Sequence, residues 1–192
     1  MANPALCIVK FDVMGTGVHF QAVIDELDLL GVLARFEPVV IGTPPLGLAV
    51  ADSDIDVACY AVDGPEFERV AARHFGHLTG FAIRRFAVFG VPAITASFCY
   101  AGWPVELFCQ AVRTQEQWGV RHFYVEQRLL RIAPDLKDAV LARKRRGLKT
   151  EPAFAEVLRL PGEPYAAMLA LEGCSDEALR QLVARAIGGL PN

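Results

Sequence analysis

The sequence predicts an α/β fold, of the α+β kind, in which a mixed β-sheet with flanking helices is followed by a helical region. Two observations carry this prediction. Short apolar runs bounded by Gly and Pro fill the middle of the chain, and from Cys109 onward the pattern is helical to the end. A chain of 192 residues suits one domain with a helical appendage. We therefore expect an α/β core over residues 1–112 and a helical region over residues 113–192 packed on it.

The elements of the first half follow from hydrophobic period and turn residues. Residues 18–35 place apolar side chains at helical spacing, whereas residues 54–60 begin with the acid–apolar alternation of a strand. Gly90–Pro92 and Ala101–Pro104 separate strand-like runs as hairpin connections do. The predicted elements are a helix over 18–35, strands over 38–41 and 54–60, a helix over 64–75, and strands over 81–89, 93–100 and 105–109.

The second half is predicted from helix start and stop signals. Thr114 with Gln117 forms a capping-box pattern, and Asp135 can cap the next helix. Four basic residues over 143–146 precede Gly147, as expected where a helix ends. The predicted helices run from 114 to 132, from 135 to 147, from 150 onward, and near 163–171 and 175–187.

Composition limits where the protein works. Apolar residues make up 53% of the chain, but no apolar run reaches the roughly 18 residues that a membrane helix needs without a charge, Pro or Gly. Lys10 and Asp12 interrupt a short apolar stretch, which lacks the basic start and long apolar core expected of a secretory signal. We therefore expect a cytoplasmic protein without a membrane partner. A net charge of −3 argues against general affinity for nucleic acid.

Two acids in one predicted strand are the first candidate for chemistry. Alternate side chains of a strand share a face, so Asp54 and Asp56 project together while Ile55 faces the other way. Two carboxylates on one face repel each other unless a positive charge lies between them, and Mg²⁺ is the obvious candidate. The alternative is a solvent-facing strand edge, where acids are common.

Glu106 repeats the pattern in a later strand, as one acid flanked by apolar residues. If the two strands are neighbours, three carboxylates converge, and such a triad can hold two metal ions about 4 Å apart. Taken alone, a strand Glu usually faces water.

Gly42 and Thr43 follow a predicted buried strand. A Gly at such a turn lets backbone N–H groups approach a ligand, and the Thr hydroxyl adds a hydrogen bond. Phosphate is the natural ligand for this kind of turn.

Together these motifs resemble the DNA polymerase beta superfamily of nucleotidyltransferases. The superfamily combines a Gly-Ser or Gly-Thr turn, a gap like the one over residues 44–53, an Asp-hydrophobic-Asp strand and a later strand acid. More closely, nearly the full chain resembles a family of small bacterial proteins of unassigned function placed in that superfamily. The segments that carry this resemblance are Gly42-Thr43, Ser53–Asp56, Glu106–Phe108, Arg121-His122 and Lys149–Phe154.

The resemblance implies a nucleotidyltransferase-like fold and transfer of a nucleoside monophosphate from a nucleoside triphosphate to an unknown acceptor. Asp54 and Asp56 would bind two Mg²⁺ ions, for which Mn²⁺ can substitute. Glu106 would complete the second metal site and help to take the acceptor's proton. The implied phosphate-binding residues are Gly42, Thr43 and Ser53.

One departure favours an alternative. Active members often carry basic residues just after the turn, where this chain has Pro44–Leu46. The alternative is a catalytically inactive nucleotide- or partner-binding module of the same fold, in an antitoxin-like role.

Further candidates lie after the sheet. Arg121 and Arg128 could clamp phosphate from a helical face, and His122 lies beside them, although a surface Arg and a buried structural His are the ordinary interpretation. Lys149 could bind an anion at a helix start, or simply belong to a helix cap. The basic stretch 143–149 could contact RNA, although a solvated helix end is the simpler interpretation.

The two tryptophans flank the region of Glu106. Trp103 or Trp118 could stack a base, although aromatic residues near a sheet–helix junction more often belong to a core. The acceptor, whether small molecule, RNA or protein, and the oligomeric state are not fixed by these motifs.

Overall fold

The computed structural model describes residues 18–188, so Lys10 and Asp12 lie outside the described residues. The described chain divides into two compact units. The sheet unit comprises the residues up to Pro44 together with Ala51–Val120. The helical unit comprises Pro45–Val50 and the chain from Arg121 onward.

One mixed sheet organises the sheet unit. The described strands are β1 Val39–Ile41, β2 Ile55–Tyr60, β3 Thr79–Val88, β4 Val91–Tyr100 and β5 Trp103–Gln110. They form a five-stranded sheet in the order β1-β2-β5-β4-β3. β2 and β5 are parallel, while the other neighbouring pairs are antiparallel. The predicted mixed sheet is confirmed.

Helices flank the sheet and make up most of the later chain, as predicted. Their bounds are α1 Phe20–Glu26, α2 Leu29–Val32, α3 Thr43–Leu46, α4 Gly64–Phe75, α5 Trp118–Ile132, α6 Leu136–Lys144, α7 Thr150–Leu158, α8 Pro164–Leu169 and α9 Asp176–Ile187. No helix among residues 18–188 combines the length and apolar character needed to cross a membrane.

The two faces of the sheet differ. One face is the core: alternate residues of the central strands are buried and pack with residues of α1, α2 and α4. The core residues of β2 and β5 are Ile55, Val57, Cys59, Val105, Leu107 and Cys109. Because strand side chains alternate, Asp56 and Glu106 project from the opposite face.

The predicted single helix over residues 18–35 is wrong in one respect. It is interrupted at Asp28, whose φ of 46° lies in the left-handed region and cannot continue a helix. The chain forms α1 and α2 instead, followed by a 3₁₀ turn over Ala34–Phe36. Val23 in α1 and Leu29 in α2 are nevertheless completely buried.

The two hairpins are tighter than predicted. Phe89-Gly90 joins β3 to β4, and Ala101-Gly102 joins β4 to β5. All four central residues have positive φ, as two-residue type I′ connections require. β4 and β5 therefore each begin two residues earlier than predicted, and they include Pro92 and Pro104.

The capping-box prediction at Thr114 is also wrong. Thr114–Glu116 forms a 3₁₀ turn, and α5 begins only at Trp118. The Thr114 hydroxyl donates instead to the backbone oxygen of Glu37, at 2.9 Å. A distant backbone partner therefore replaces the local cap.

The helical unit has its own apolar interior. α7 contacts α6, α8 and α9. Fully buried side chains include Leu136, Val140, Phe154 and Met168. The Ser175 hydroxyl caps α9 by accepting from the Ala178 N–H.

Candidate active site

Strand register brings the predicted acids to one end of the sheet. Asp56 in β2 lies directly opposite Glu106 in the parallel strand β5, so both side chains project from the same face as neighbours. Asp54 is exposed and stands two residues earlier, just before β2 begins. β2 and β5 are therefore neighbours in the sheet, as the predicted convergence of the acids requires.

The Gly42 turn lies at the same end. β1 ends at Ile41, which pairs with Asp56 across the antiparallel ladder. Gly42 follows with a φ of +81°, and a Cβ built there would lie 2.4 Å from Oδ2 of Asp56. A glycine is needed here because the carboxylate occupies the space that any side chain would fill.

The hydroxyls of Thr43 and Ser53 tie the turn to the segment that leads into β2. Thr43 Oγ1 donates to Ser53 Oγ at 2.9 Å. Ser53 is buried and Thr43 is half-buried. The three residues predicted to bind phosphate, Gly42, Thr43 and Ser53, are thus brought together beside the acids.

Glu106 has an unfavourable environment for a charge. Burial, together with the negative charge of Asp54, raises the pKa of Glu106, and the guanidinium of Arg84 partly opposes this rise. The neighbouring Arg85 faces the other way and pairs with Glu68 of α4. Two adjacent arginines thus serve opposite faces of the sheet, as strand alternation dictates.

The predicted metal site at Asp54, Asp56 and Glu106 stays a prediction. Among residues 18–188, no group of three or more His, Cys, Asp or Glu side chains stands together in a way that could hold a metal ion. The Asp56 carboxylate lies against Gly42. Carboxylate oxygens, which all three acids carry, are the donors that Mg²⁺ prefers.

A cavity of about 430 Å³ opens on the same face of the sheet. Its floor includes Ile41, Asp56, Glu106 and Phe108, and the tip of the β3–β4 hairpin forms one side. The residues before α5 and its first turn form the other side; these are Val112 and Glu116–Val120. The cavity is mostly apolar and reaches the carboxylates of the site.

In the helical unit, Arg121 and Arg128 are held by acids. Arg121 pairs with Glu172 at 2.5 Å, and Arg128 pairs with Asp176 at 2.6 Å. These hydrogen-bonded partners raise the pKa of Arg121 and lower those of Glu172 and Asp176. The ion pairs support the structural interpretation of both arginines.

His122 and Lys149, the other predicted substrate-binding residues of this unit, differ in exposure. His122 is buried, its ring meets that of Tyr165 edge-on at 6.0 Å, and burial lowers its pKa. Lys149 is exposed at the N-cap of α7 and makes no side-chain cap bond.

Part of the basic stretch 143–149 makes contacts within the protein. Arg143 and Arg146 both approach Glu156, at 3.3 and 3.5 Å. Lys144 is buried and donates to Thr150 Oγ1. These contacts are typical of a helix end, while Arg145 and Lys149 are exposed.

With this geometry in place, comparison with known proteins gives a family. A protein family described as "Domain of unknown function (DUF4269)" matches residues 22–171. The chain belongs to the DUF4269 family. The expected membership of a family without an assigned function is confirmed. No curated protein matches the sequence.

Several solved structures are similar to this DUF4269 chain. A cytoplasmic RNA terminal U-transferase is 17% identical, with a TM-score of 0.47 over 75% of this chain and 42% of its own. The Cid1 poly(U) polymerase bound to MgATP is 17% identical, with a TM-score of 0.48 over 78% and 47%. A chain of the GLD-2/RNP-8 complex is 11% identical, with a TM-score of 0.48 over 90% and 66%. The DUF4269 chain spans less than half of the first two.

Sequence reasoning missed Gln117 in this DUF4269 chain. Its Nε2 donates to the backbone oxygens of Cys59 and Val112, at 2.7 and 2.9 Å, and its Oε1 is buried without a hydrogen-bond partner. Gln117 therefore fixes the chain just before α5 to β2, and it also lines the cavity. A glutamine in a polar run gives no local signal of this contact.

Phe89 was predicted only as the end of a strand. It is 73% exposed, and its ring lies 4.5 Å from that of Trp118. Type I′ turns favour Asn, Asp or Gly, so a Phe next to Gly90 is unusual. That unusual residue was the available signal in the sequence.

Proposed function

We propose that this protein is a nucleotidyltransferase of the DNA polymerase beta type, which transfers a nucleoside monophosphate from a nucleoside triphosphate to an acceptor. One observation carries the proposal: the Gly42-Thr43 turn and the carboxylates of Asp54, Asp56 and Glu106 share one end of the sheet. This chemistry requires a glycine turn that can bind phosphate. It also requires acids beside the turn that can accept or donate a proton.

Each residue has a distinct part in the proposed reaction. Backbone N–H groups of Gly42 and Thr43 bind the outgoing phosphates, and the Thr43–Ser53 hydrogen bond holds the turn in place. Asp56 supports the turn by its contact with Gly42.

Glu106 is the proposed proton acceptor. An acceptor oxygen or nitrogen forms a bond to the α-phosphorus, the bond from that phosphorus to pyrophosphate breaks, and the acceptor's proton passes to Glu106. A carboxylate whose pKa is raised by burial and by Asp54 holds a proton better than an exposed one. Mg²⁺, with Mn²⁺ as substitute, is the cofactor predicted for this activity; Asp54, Asp56 and Glu106 would hold it, and it would neutralise charge on the phosphates.

A second candidate also has an observation in its favour. Pro44-Pro45-Leu46 continues the turn into α3 without a basic side chain. This feature suits a module that binds a nucleotide or a partner without turnover.

Calorimetric titration with the four nucleoside triphosphates, with and without Mg²⁺, tests the proposal. Wild type, Asp54→Asn and Glu106→Gln are compared with Asp52→Asn, which removes an exposed charge only two residues from Asp54. We expect micromolar binding that weakens at least tenfold in Asp54→Asn and stays unchanged in Asp52→Asn.

Transfer of an α-phosphate label to any acceptor in a small-molecule extract then separates the two candidates. Binding with a labelled product that Glu106→Gln abolishes supports the transferase. Binding without any labelled product supports the non-catalytic module. Absence of binding to all four nucleotides contradicts both nucleotide-binding proposals.

A further inference from the structure

We propose that the cavity beside Asp56 and Glu106 binds a small aromatic molecule that is neutral or cationic and carries an amino or hydroxyl group. This inference rests on the proposed function in one respect, since it identifies the molecule as the acceptor. The binding itself is argued from the cavity and can be measured without any nucleotide.

The first argument is the conformation of Phe89. Its φ of 50° places a bulky side chain in the left-handed region, which costs on the order of 1 kcal/mol or more. The type I′ turn favours Asn, Asp or Gly at this position. The hairpin thus keeps an unfavourable residue that leaves a large apolar ring mostly in water.

The position of that ring is the second argument. Phe89 and Trp118 both line the cavity, one on the β3–β4 hairpin and one on the first turn of α5, and their rings contact each other. Their centroids are 4.5 Å apart and their planes are inclined by 41°. Trp118 is 41% exposed. Two exposed aromatic rings beside an apolar cavity offer a stacking surface for a flat ligand.

The charge of the residues that line the cavity determines which flat ligands it favours. Within the described chain, the charged residues that line the cavity are Asp56, Glu106 and Glu116, all acidic. In the absence of a metal ion, an anionic group inside the cavity would meet the negative field of these carboxylates, which Arg84 beside Glu106 opposes only in part. A protonated amine or a neutral donor is favoured instead.

The size of the cavity agrees with one small molecule. A volume of about 430 Å³ lies within the range of small-molecule sites. Because Asp56 and Glu106 belong to the cavity floor, an amino or hydroxyl group on the aromatic body can meet a carboxylate there. A ligand seated in this way presents a nucleophilic atom to the group proposed to take its proton.

The test uses tryptamine, indole and indole-3-acetate, which share one aromatic body and differ in charge. Binding to the full chain is measured by ligand-observed NMR titration without nucleotide. We expect tryptamine to bind more tightly than indole, and indole-3-acetate to bind at least tenfold more weakly than tryptamine. Equal binding of the cation and the anion, or no binding of tryptamine, overturns the proposal.

Two matched hairpin variants separate binding from folding. Phe89→Asn relieves the backbone strain and removes the ring, so we expect tryptamine affinity to fall at least fivefold while the protein stays folded. Ala101→Asn changes the equivalent position of the β4–β5 hairpin, where φ is 47°, and should leave the affinity unchanged. Unchanged affinity in Phe89→Asn contradicts the proposal.

Competition by a uridine decanucleotide distinguishes a small-molecule site from an RNA site. Displacement of tryptamine by the oligonucleotide would overturn the small-molecule assignment. Tryptamine binding in a protein that binds no nucleoside triphosphate would retain the cavity as a ligand site and remove only the acceptor role. The two proposals therefore fail separately.

Discussion

Replacing Gly42 with Ala tests how the Asp56 carboxylate is held against the turn. The new Cβ would lie 2.4 Å from Asp56 Oδ2, roughly 1 Å closer than ordinary contact, and the residue would keep a φ of +81°. Left-handed backbone costs a non-glycine residue about 1–2 kcal/mol. Displacing the carboxylate adds about 1–2 kcal/mol by analogy with overpacking. We expect the free energy of unfolding to fall by about 2–4 kcal/mol.

Gly90→Ala is the matched control for this prediction. Gly90 has nearly the same φ, +79°, and a Cβ there would meet nothing within 4 Å. Gly90→Ala should therefore lower the free energy of unfolding only by the cost of the left-handed backbone, about 1–2 kcal/mol. Both variants are measured by urea unfolding monitored by circular dichroism.

A double-mutant cycle isolates the contact itself. In an Asp56→Ala background, Gly42→Ala should cost no more than Gly90→Ala does, because the clashing atom is gone. Equal losses for Gly42→Ala and Gly90→Ala in the wild-type background would refute the reasoning. They would mean that Asp56 turns away from Gly42 without cost.

Two further stability predictions concern the same end of the sheet. Glu106→Gln should raise the free energy of unfolding at pH 7.5 by roughly 0.5 kcal/mol, since it removes a half-buried charge that Asp54 repels and that solvent partly screens. The pKa of Glu106 is raised in the folded state, so protonation of Glu106 favours folding. This benefit is fully present below the unfolded pKa of about 4.3, and it is lost as pH rises through the folded pKa. The advantage of the variant should therefore vanish below about pH 4 in a urea-unfolding series, and an advantage that persists there would contradict a charge effect. Thr43→Val removes the hydrogen bond to Ser53 and should lower stability by about 1 kcal/mol in the same assay, whereas no loss would show that the bond contributes nothing.

Local patterns were sufficient to predict the strands of the site. The acid–apolar alternation of residues 54–57 placed Asp54 and Asp56 on one face, and a Gly after an apolar run predicted the turn at Gly42. Both follow from constraints within a few residues, namely the period of a strand and the conformational freedom of glycine. The pairing of β2 with β5 was needed to bring Glu106 close to Asp54 and Asp56. The sequence did not predict this pairing; it only showed what would follow if the two strands were neighbours.

Long-range contacts explain what the sequence did not predict. Thr114 carries a capping pattern, yet its hydroxyl binds the backbone of Glu37, which is 77 residues away. Gln117 likewise bonds to Cys59, which is 58 residues away. Such partners are chosen by the folded arrangement, so a local pattern cannot reveal them.

The direction of the acid side chains could not be predicted for a related reason. Spacing and strand register can place carboxylates on one face, but they do not fix the direction of each side chain. The Asp56 carboxylate lies against Gly42, and the metal site at Asp54, Asp56 and Glu106 stays a prediction. Side-chain direction depends on the neighbouring turn, which strand periodicity does not describe.

The most direct test of the central claim is an ATP titration followed by the backbone amide signals of isotope-labelled protein. Binding at the proposed site predicts that the amides of Gly42 and Thr43 shift most, with saturable behaviour, while that of Gly90 stays in place. Saturable shifts confined to other residues, or no shifts at millimolar ATP with and without Mg²⁺, would contradict a nucleotide site at this end of the sheet.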